Sequence, residues 1–228
     1  MIDGYALPKA EWCKNSEILL VYYEYIQKKV VWFSIRDGEK KEYIVEDLKF
    51  LKQEMRYTEI ISCISDGSLQ IASALKEVYP ETIHQRCLVH IQRQVKNYIS
   101  DNPRTGAGKV LKHIMGYSIL SDSLLFPIVF QIWLHTYHSF LDEKSITQKG
   151  WWTWTHKNLR KATKHIQNAL PFMFQTKKYD DPNIEQTSNK MEGYFWVLTE
   201  EWYNEHKWLS KKRLLSFTAL WIYLRNQK

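Results

Sequence analysis

The order of apolar patterns over the first ninety residues constrains the fold more than any other feature of this sequence. Runs of β-branched and aromatic residues predict strands over 2–6, 18–25 and 30–35. A polar Gln-Lys-Lys stretch at 27–29 separates the last two and is typical of a hairpin turn. The chain therefore begins with sheet structure rather than with a helical bundle.

Helical patterns then alternate with further strands. Apolar residues at helical spacing predict helices over 42–55 and 68–78, and short apolar runs predict buried strands over 60–64 and 82–89. The order β-β-β-α-β-α-β places hairpin strands first and crossover units second, and strands joined by such crossovers are expected to be parallel. The sequence therefore predicts an α/β fold with a mixed sheet and flanking helices.

Strand patterns disappear after residue 90. Helical patterns cover 91–99, 109–117, 124–141 and 158–170. We interpret this stretch as a large all-α insertion within the α/β core. The expected organisation is a first part of the core at 1–90, the helical insertion at 91–184, and C-terminal helices completing the core at 185–228.

Composition narrows the class of protein. The chain has 228 residues, of which 44% are hydrophobic, so enough apolar side chain is present to build a core and disorder is excluded. The longest apolar run, 124–130, is too short to span a bilayer, and the start lacks the pattern of a signal peptide. Three cysteines, an odd number, argue against a disulfide framework. We expect a cytoplasmic protein without a membrane partner.

The net charge of +7 is unevenly distributed. Residues 83–114 contain six Lys and Arg and one Asp, and residues 144–178 contain eight Lys and Arg and no acid. Trp151, Trp152 and Trp154 lie within the second stretch. Basic and aromatic side chains together favour nucleic acid as the partner, with indoles stacking on bases. Two simpler interpretations stay open: solvated basic helix faces, and indoles buried in the core of the insertion.

Three acidic residues far apart in sequence are candidates for a shared site. Asp3 lies in the first strand, Asp66 follows the fourth, and Glu192 lies near the start of a late helix. In open α/β sheets, sites form at the carboxyl ends of neighbouring strands, and converging carboxylates need a cation such as Mg²⁺ or Mn²⁺. Taken singly, Asp66 before Gly67 is typical of a turn, and Glu192 of a helix-dipole acid.

Three short motifs together resemble one known family. They are Ser65-Asp66-Gly67, Cys87-x-x-His90 and Asn189-x-x-Glu192-Gly193. With Asp3-Gly4, these motifs are similar to those of Mutator-type DDE transposases of prokaryotic insertion sequences. The resemblance implies a ribonuclease-H-like fold with a helical insertion before the last catalytic acid. It also implies a first strand that is cut short and upstream DNA-binding elements that are missing.

The resemblance also implies a function and a set of site residues. Asp3, Asp66 and Glu192 would be catalytic and would bind two Mg²⁺ or Mn²⁺ ions. The expected reactions are nicking at the ends of the element and strand transfer by the freed 3′-hydroxyl. The expected partners are transposon-end and target DNA, with the chain acting as a DNA-associated homo-oligomer. DNA contacts are expected from Arg86, His90, Arg93, Lys157, Arg160 and Arg213.

Cys87 and His90 have three open interpretations. They could form half of a zinc site, which would need two further ligands. They could instead be a buried thiol and a hydrogen-bonded imidazole, or His90 could contact DNA. Arg86 and Arg93 are the better phosphate ligands, because a guanidinium pairs with two phosphate oxygens at once.

Other functions also fit the sequence. The chain could be an inactive transposase remnant that acts only as a DNA-binding protein. It could be an interaction protein whose aromatic helices form a partner surface. It could also be a stand-alone ribonuclease-H-like nuclease.

Overall fold

A computed structural model describes residues 1–6, 18–179, 187–200 and 210–227. The chain divides into two compact units. The first unit contains residues 1–84 and 183–228, and the second contains residues 85–182, so the second unit is inserted within the chain of the first. Residues 7–17, 180–186, 201–209 and 228 lie outside the described residues.

The elements follow one another in an order close to the predicted one. In the first unit and up to its junction with the second they are β1 (Ile2–Ala6), β2 (Ile18–Glu24), β3 (Lys29–Arg36), α1 (Lys41–Gln53), β4 (Ser62–Ser65), α2 (Leu69–Val78) and β5 (Ile83–Arg86). The second unit adds α3 (Leu88–Ile99), α4 (Gly106–Ile114), α5 (Tyr117–Leu120), α6 (Leu125–Thr136), α7 (His138–Leu141), β6 (Lys144–Ile146), β7 (Trp152–Trp154), α8 (Lys157–Ala169), a 3₁₀ turn (Leu170–Phe172) and α9 (Gln175–Tyr179). The chain then returns to the first unit with α10 (Asn189–Leu198) and α11 (Lys211–Asn226).

The first unit is built around the antiparallel sheet β1-β2-β3. Asp3 lies opposite Val21, and Val21 lies opposite Phe33. A second, two-stranded sheet pairs β4 with β5, and β4 contacts β1. The predicted mixed α/β class is therefore confirmed for the described residues.

The two faces of the central strand β2 pack against different helices. Leu20 and Tyr22 are buried in a core with α1 and α2, and Leu19 and Val21 are buried in a core with α10 and α11. Successive side chains of a strand point to opposite faces, so one short apolar run supplies both cores. Helices thus cover both faces of the sheet.

A buried carboxylate joins the sheet to α1. Asp47, only 2% exposed, accepts hydrogen bonds from the Tyr22 hydroxyl at 3.0 Å, the Ser34 hydroxyl at 2.5 Å and the Arg36 guanidinium at 2.9 Å. Burial and the neighbouring Asp47 charge raise the pKa of Tyr22 well above its ordinary value, so this hydroxyl stays a donor. The network holds α1 in one position against β2 and β3.

The last helix is joined to the sheet by one side chain. The amide of Asn226 accepts a hydrogen bond from the backbone N–H of Val30 at 3.1 Å and donates one to the Val30 carbonyl at 2.9 Å. These two bonds satisfy both backbone polar groups of a residue at the start of β3.

The second unit has its own helical core. Phe126, Phe130 and Trp133 of α6 are buried there with residues of α3, α4 and α8. The Trp133 indole N–H donates to the Ala107 carbonyl at 3.0 Å, which satisfies its only polar group.

The prediction of an all-α insertion is wrong at one place. Within the second unit, β6 and β7 form a small antiparallel hairpin with Lys144 opposite Trp154 and Ile146 opposite Trp152. The chain reverses over Thr147–Gly150, where the Gly150 N–H donates to the Thr147 carbonyl at 2.9 Å and Gly150 has φ of +78°. Strands of three residues are too short to give a clear alternating pattern.

Two predicted element boundaries are also wrong. The strand expected over 82–89 ends at Arg86, because Cys87 has extended backbone and caps α3, which begins at Leu88. The helix expected over 124–141 is interrupted at Tyr137. Just before this break the Thr136 hydroxyl donates to the Ile132 carbonyl, a bond that bends helices.

Candidate active site

Asp66 lies in a tightly bonded turn between β4 and α2. Its Oδ1 accepts a hydrogen bond from the Ser68 N–H at 2.8 Å. The buried Ser65 hydroxyl lies 2.8 Å from the His84 ring nitrogen Nε2 and accepts from the Gly67 N–H at 3.2 Å. Gly67 has φ of +94°, a conformation that favours glycine. The turn therefore holds Asp66 at the start of α2.

Asp3 lies within β1, and its side chain is buried. Its Oδ1 accepts from the Gly4 N–H at 2.9 Å, and the residue is 8% exposed. Because side chains alternate along a strand, Asp3 shares a face of β1 with Tyr5. Tyr5 stacks on Phe195 with ring centroids 5.0 Å apart, and its hydroxyl bonds to that of Thr199. The Asp3 face of β1 is thus the face that α10 covers.

Glu192 lies in the first turn of α10 and is half-buried. Its N–H donates to the carbonyl of Ser188, the residue that caps the helix. All three predicted acids therefore belong to the first unit: Asp3 lies on β1, Asp66 follows the contacting strand β4, and Glu192 lies on α10, which packs on the Asp3 face of β1.

The three carboxylates do not form an assembled ion site in this structure. In the described ranges of the chain, no group of three or more His, Cys, Asp and Glu side chains is arranged to hold a metal ion. Carboxylates repel one another unless a cation or a proton lies between them. The three-acid metal centre therefore stays a prediction, and side-chain movement would be needed to complete it.

Glu39 is a further carboxylate beside Gly4 and Asp66, and no sequence pattern points to it. A Cβ on Gly4 would lie 2.6 Å from the Glu39 Oε2. Burial and the charge of Asp66 raise the pKa of Glu39, and the neighbouring Ser68 hydroxyl opposes that rise. Glu39 precedes α1 in a loop, so no periodic pattern points to it.

The Cys-x-x-His motif lies at the start of α3 in the second unit. Cys87 is fully buried and caps the helix, and His90 is half-buried in its first turn. Arg86 ends β5 half-buried, and Arg93 is exposed on α3. Over the described part of the chain, Cys87 and His90 belong to no group of three metal-ligating side chains. A zinc site at this motif thus has no support from its described neighbours.

A basic surface follows one side of α8. Lys157, Lys161 and Lys164 line a groove of about 790 Å³ between α6, α7 and α8, which we call the α8 groove. Arg160 lies among them, but it is engaged within the protein, with its guanidinium 2.5 Å from the Asp142 carboxylate and 3.7 Å from the Trp154 ring. Lys161 and Lys164 were not among the predicted contacts, although the four-residue spacing of Lys157 and Lys161 would have revealed them.

Two of the clustered tryptophans are fully on the surface. Trp151 is 73% exposed and Trp152 is 70% exposed, at the turn end of the β6–β7 hairpin. Trp154 lies instead between Arg160 and Lys144, whose ammonium is 4.8 Å from its ring. The interpretation of these indoles as core residues is therefore wrong for Trp151 and Trp152.

Arg213, the last of the predicted DNA contacts, lies in the first turn of α11 and is exposed. It belongs to the first unit, whereas Arg86, His90, Arg93, Lys157 and Arg160 belong to the second.

A half-buried histidine of the second unit, His165, predicts that the stability of the chain depends on pH. Burial and the nearby Arg86 lower the pKa of His165 below its ordinary value of 6.5, and its Nε2 is buried without a hydrogen-bond partner. The unfolded chain then takes up a proton before the folded chain does. Stability is fully present above about pH 6.5 and is lost as the pH falls through the folded pKa. We expect the melting temperature to fall between pH 7 and pH 5, as measured by circular dichroism.

The matched control is His113, an exposed histidine of the same unit. The variant His165→Gln should show a weaker fall of melting temperature with pH, and His113→Gln should behave like the unaltered chain. Equal slopes for His165→Gln and the unaltered chain would contradict this assignment.

The first unit is thus an α/β layer structure that carries the four carboxylates. The second unit is mainly helical and carries the basic surface and the exposed indoles. Residues 26–121 match the family model of the Mutator family of transposases. The match includes Asp66, Cys87 and His90, and it confirms the predicted resemblance over that segment. No curated protein matches the chain.

None of the helices in the described parts of the chain is long and apolar enough to cross a membrane.

Proposed function

We propose that this chain is the catalytic domain of a DDE transposase, which nicks DNA at element ends and joins the freed ends to target DNA. One observation carries the proposal: Asp66, within the segment similar to Mutator-family transposases, follows a strand that contacts the strand of Asp3. Glu192 on the helix above β1 would complete the set.

The three acids carry donor atoms of the kind that suits a hard divalent cation. Asp3, Asp66 and Glu192 would provide the carboxylate oxygens that Mg²⁺ and Mn²⁺ prefer. When bound, two such ions would supply activation of an attacking oxygen and stabilisation of the leaving oxygen. The Ser68 N–H donates to Oδ1 of Asp66, which holds this carboxylate at the start of α2. None of the ion pairs among the described residues includes Asp66.

The second unit would bind the DNA. Lys157, Lys161 and Lys164 of the α8 groove would neutralise successive phosphates. Trp151 and Trp152 present large exposed rings on the hairpin whose Trp154 lines this groove, and every base has a face on which an indole can stack. We infer that the turn end of the hairpin contacts unpaired bases near the break.

This surface gives a testable result. The variant Trp151→Ala/Trp152→Ala should bind a labelled oligo-dT strand about thirtyfold more weakly or worse, because stacking on an aromatic ring is worth about 1–3 kcal/mol per base and two rings are removed. Fluorescence anisotropy at fixed salt measures the affinity. The melting temperature should change little, because both rings are mostly exposed.

A tryptophan elsewhere provides the control. Trp196 of the first unit is 66% exposed, so Trp196→Ala removes an equally accessible indole. It should leave the affinity for oligo-dT unchanged. If both variants weakened binding equally, or neither did, the hairpin would not be the stacking surface.

A cleavage assay tests the proposed function as a whole. Labelled duplexes carrying the sequences that flank the gene should be nicked with Mg²⁺ or Mn²⁺, and EDTA should abolish nicking. A chain that retains these duplexes in a salt-dependent way without cutting them would be the non-catalytic DNA-binding protein. Equal cutting of unrelated duplexes or RNA–DNA hybrids would indicate a stand-alone nuclease instead.

A further inference from the structure

Glu39 reaches the backbone next to both predicted catalytic aspartates. On one side its Oε2 fills the space above Gly4, 2.6 Å from the place where a Cβ would lie. Gly4 is joined to Asp3 in sequence and also donates its N–H to the Asp3 carboxylate. The close approach leaves no room for a side chain at position 4 unless Glu39 moves.

On the other side Glu39 is joined to Asp66 through Ser68. The Ser68 hydroxyl lies beside the Glu39 carboxylate and favours its charged form, and the Ser68 N–H donates to Oδ1 of Asp66 at 2.8 Å. Ser68 therefore lies between the two carboxylates at the start of α2. Since Ser68 also occupies the N-cap position of α2, movement of Glu39 would disturb the turn that holds Asp66.

Glu39 is half-buried, and the ion pairs among the described residues do not include it. A half-buried carboxylate without a cationic partner costs stability, so its place beside Asp66 calls for another explanation.

We propose that Glu39 is a positioning residue for the carboxylate site, holding the Asp3–Gly4 strand and the Asp66–Ser68 turn at a fixed separation. This inference rests on the proposed function. Glu39 acts through Gly4 and Ser68, and not as a metal ligand. Residues of this kind orient the groups that bind metal, and replacing them reduces metal affinity or activity about tenfold to a hundredfold.

The first test replaces Glu39 in the full chain. Glu39→Ala should weaken Mn²⁺ binding, measured by calorimetry, about tenfold to a hundredfold, and lower kcat with little change in KM for end-containing DNA. Glu39→Gln keeps an oxygen that can accept from Ser68, so it should retain most of the affinity. Ser68→Ala should resemble Glu39→Ala. The control Glu42→Ala removes an exposed acid of α1 and should change neither quantity.

A double-mutant cycle tests the contact between Glu39 and Gly4. Gly4→Ala should be as harmful to Mn²⁺ binding as Glu39→Ala, because the new methyl group would collide with the carboxylate. Combining the two changes should be no worse than either one alone, since the second change removes the collision. Fully additive losses would show that Gly4 and Glu39 act independently and would overturn the proposal.

The outcomes separate this proposal from the function on which it rests. If the unaltered chain binds Mn²⁺ and cleaves, and Glu39→Ala does so equally well, only the positioning role fails. A lower melting temperature with unchanged Mn²⁺ affinity would show a purely structural role and would also overturn it. If the unaltered chain neither binds Mn²⁺ nor cleaves, the proposed function fails and the positioning role fails with it.

Discussion

Asp66→Asn should reduce metal-dependent cleavage by about a thousandfold or more while leaving the fold intact. Under the proposed function this change removes a carboxylate ligand and with it metal stabilisation of the transition state, which is worth several kcal/mol, and each 1.36 kcal/mol is a factor of ten in rate. The asparagine oxygen can still accept the Ser68 N–H, so the turn before α2 is preserved. The charge next to Glu39 disappears, so the melting temperature should be unchanged or slightly higher.

Cleavage of labelled end-containing duplexes with Mg²⁺ measures the effect, and anisotropy with the same duplexes checks that DNA binding is retained. Glu81→Gln provides the control, because it removes one exposed carboxylate of the same unit. That variant should cleave like the unaltered chain. Undiminished cutting by Asp66→Asn would overturn the assignment of Asp66 and the DDE mechanism with it.

The second large effect is expected on stability. Asp47→Ala should lower the free energy of unfolding by about 3–5 kcal/mol, because it leaves the Arg36 guanidinium half-buried without its closest partner. The Tyr22 and Ser34 hydroxyls lose the same acceptor. Urea unfolding followed by circular dichroism measures the change as a shift of the midpoint.

Two further variants give this prediction its controls. Asp47→Asn keeps an oxygen for the two hydroxyls and removes only the charge, so its loss should be intermediate. Asp37→Ala breaks an ion pair with Lys40 in which both side chains are more than half exposed, and its effect should be small. An Asp47→Ala chain as stable as Asp37→Ala would show that the buried network contributes nothing net.

The sequence predicted the elements whose patterns are long or strongly apolar. The structure confirms the strands predicted over 18–25 and 30–35 and the helices predicted over 42–55 and 68–78. Each helix buries one regular stripe of apolar side chains, and each strand buries apolar side chains in the cores beside the sheet. The short β6–β7 hairpin was missed because three-residue strands contain too few alternations. Cys87 was placed in a strand because its role as a helix cap depends on backbone angles and not on residue type.

A site residue could be predicted only where its neighbours in the sequence form a recognisable pattern. Asp66 follows an apolar run and precedes Gly67, so the turn was visible in the sequence. Asp3 and Glu192 were identified mainly through resemblance, since neither has a distinctive local pattern. Glu39 was missed because its closeness to Gly4 and Ser68 arises from tertiary packing of a loop, which no spacing rule describes.

The insertion of the second unit has a consequence for synthesis of the chain on the ribosome. Leu19 and Val21 emerge early, but their partners on α10 and α11 emerge only after the whole second unit. The bond between Val30 and Asn226 closes a separation of 196 residues. Proteins dominated by such distant contacts fold slowly, and domains fold from the amino end as they are made. The face of β2 that carries Leu19 and Val21 therefore stays without its helical cover until α10 and α11 have been synthesised.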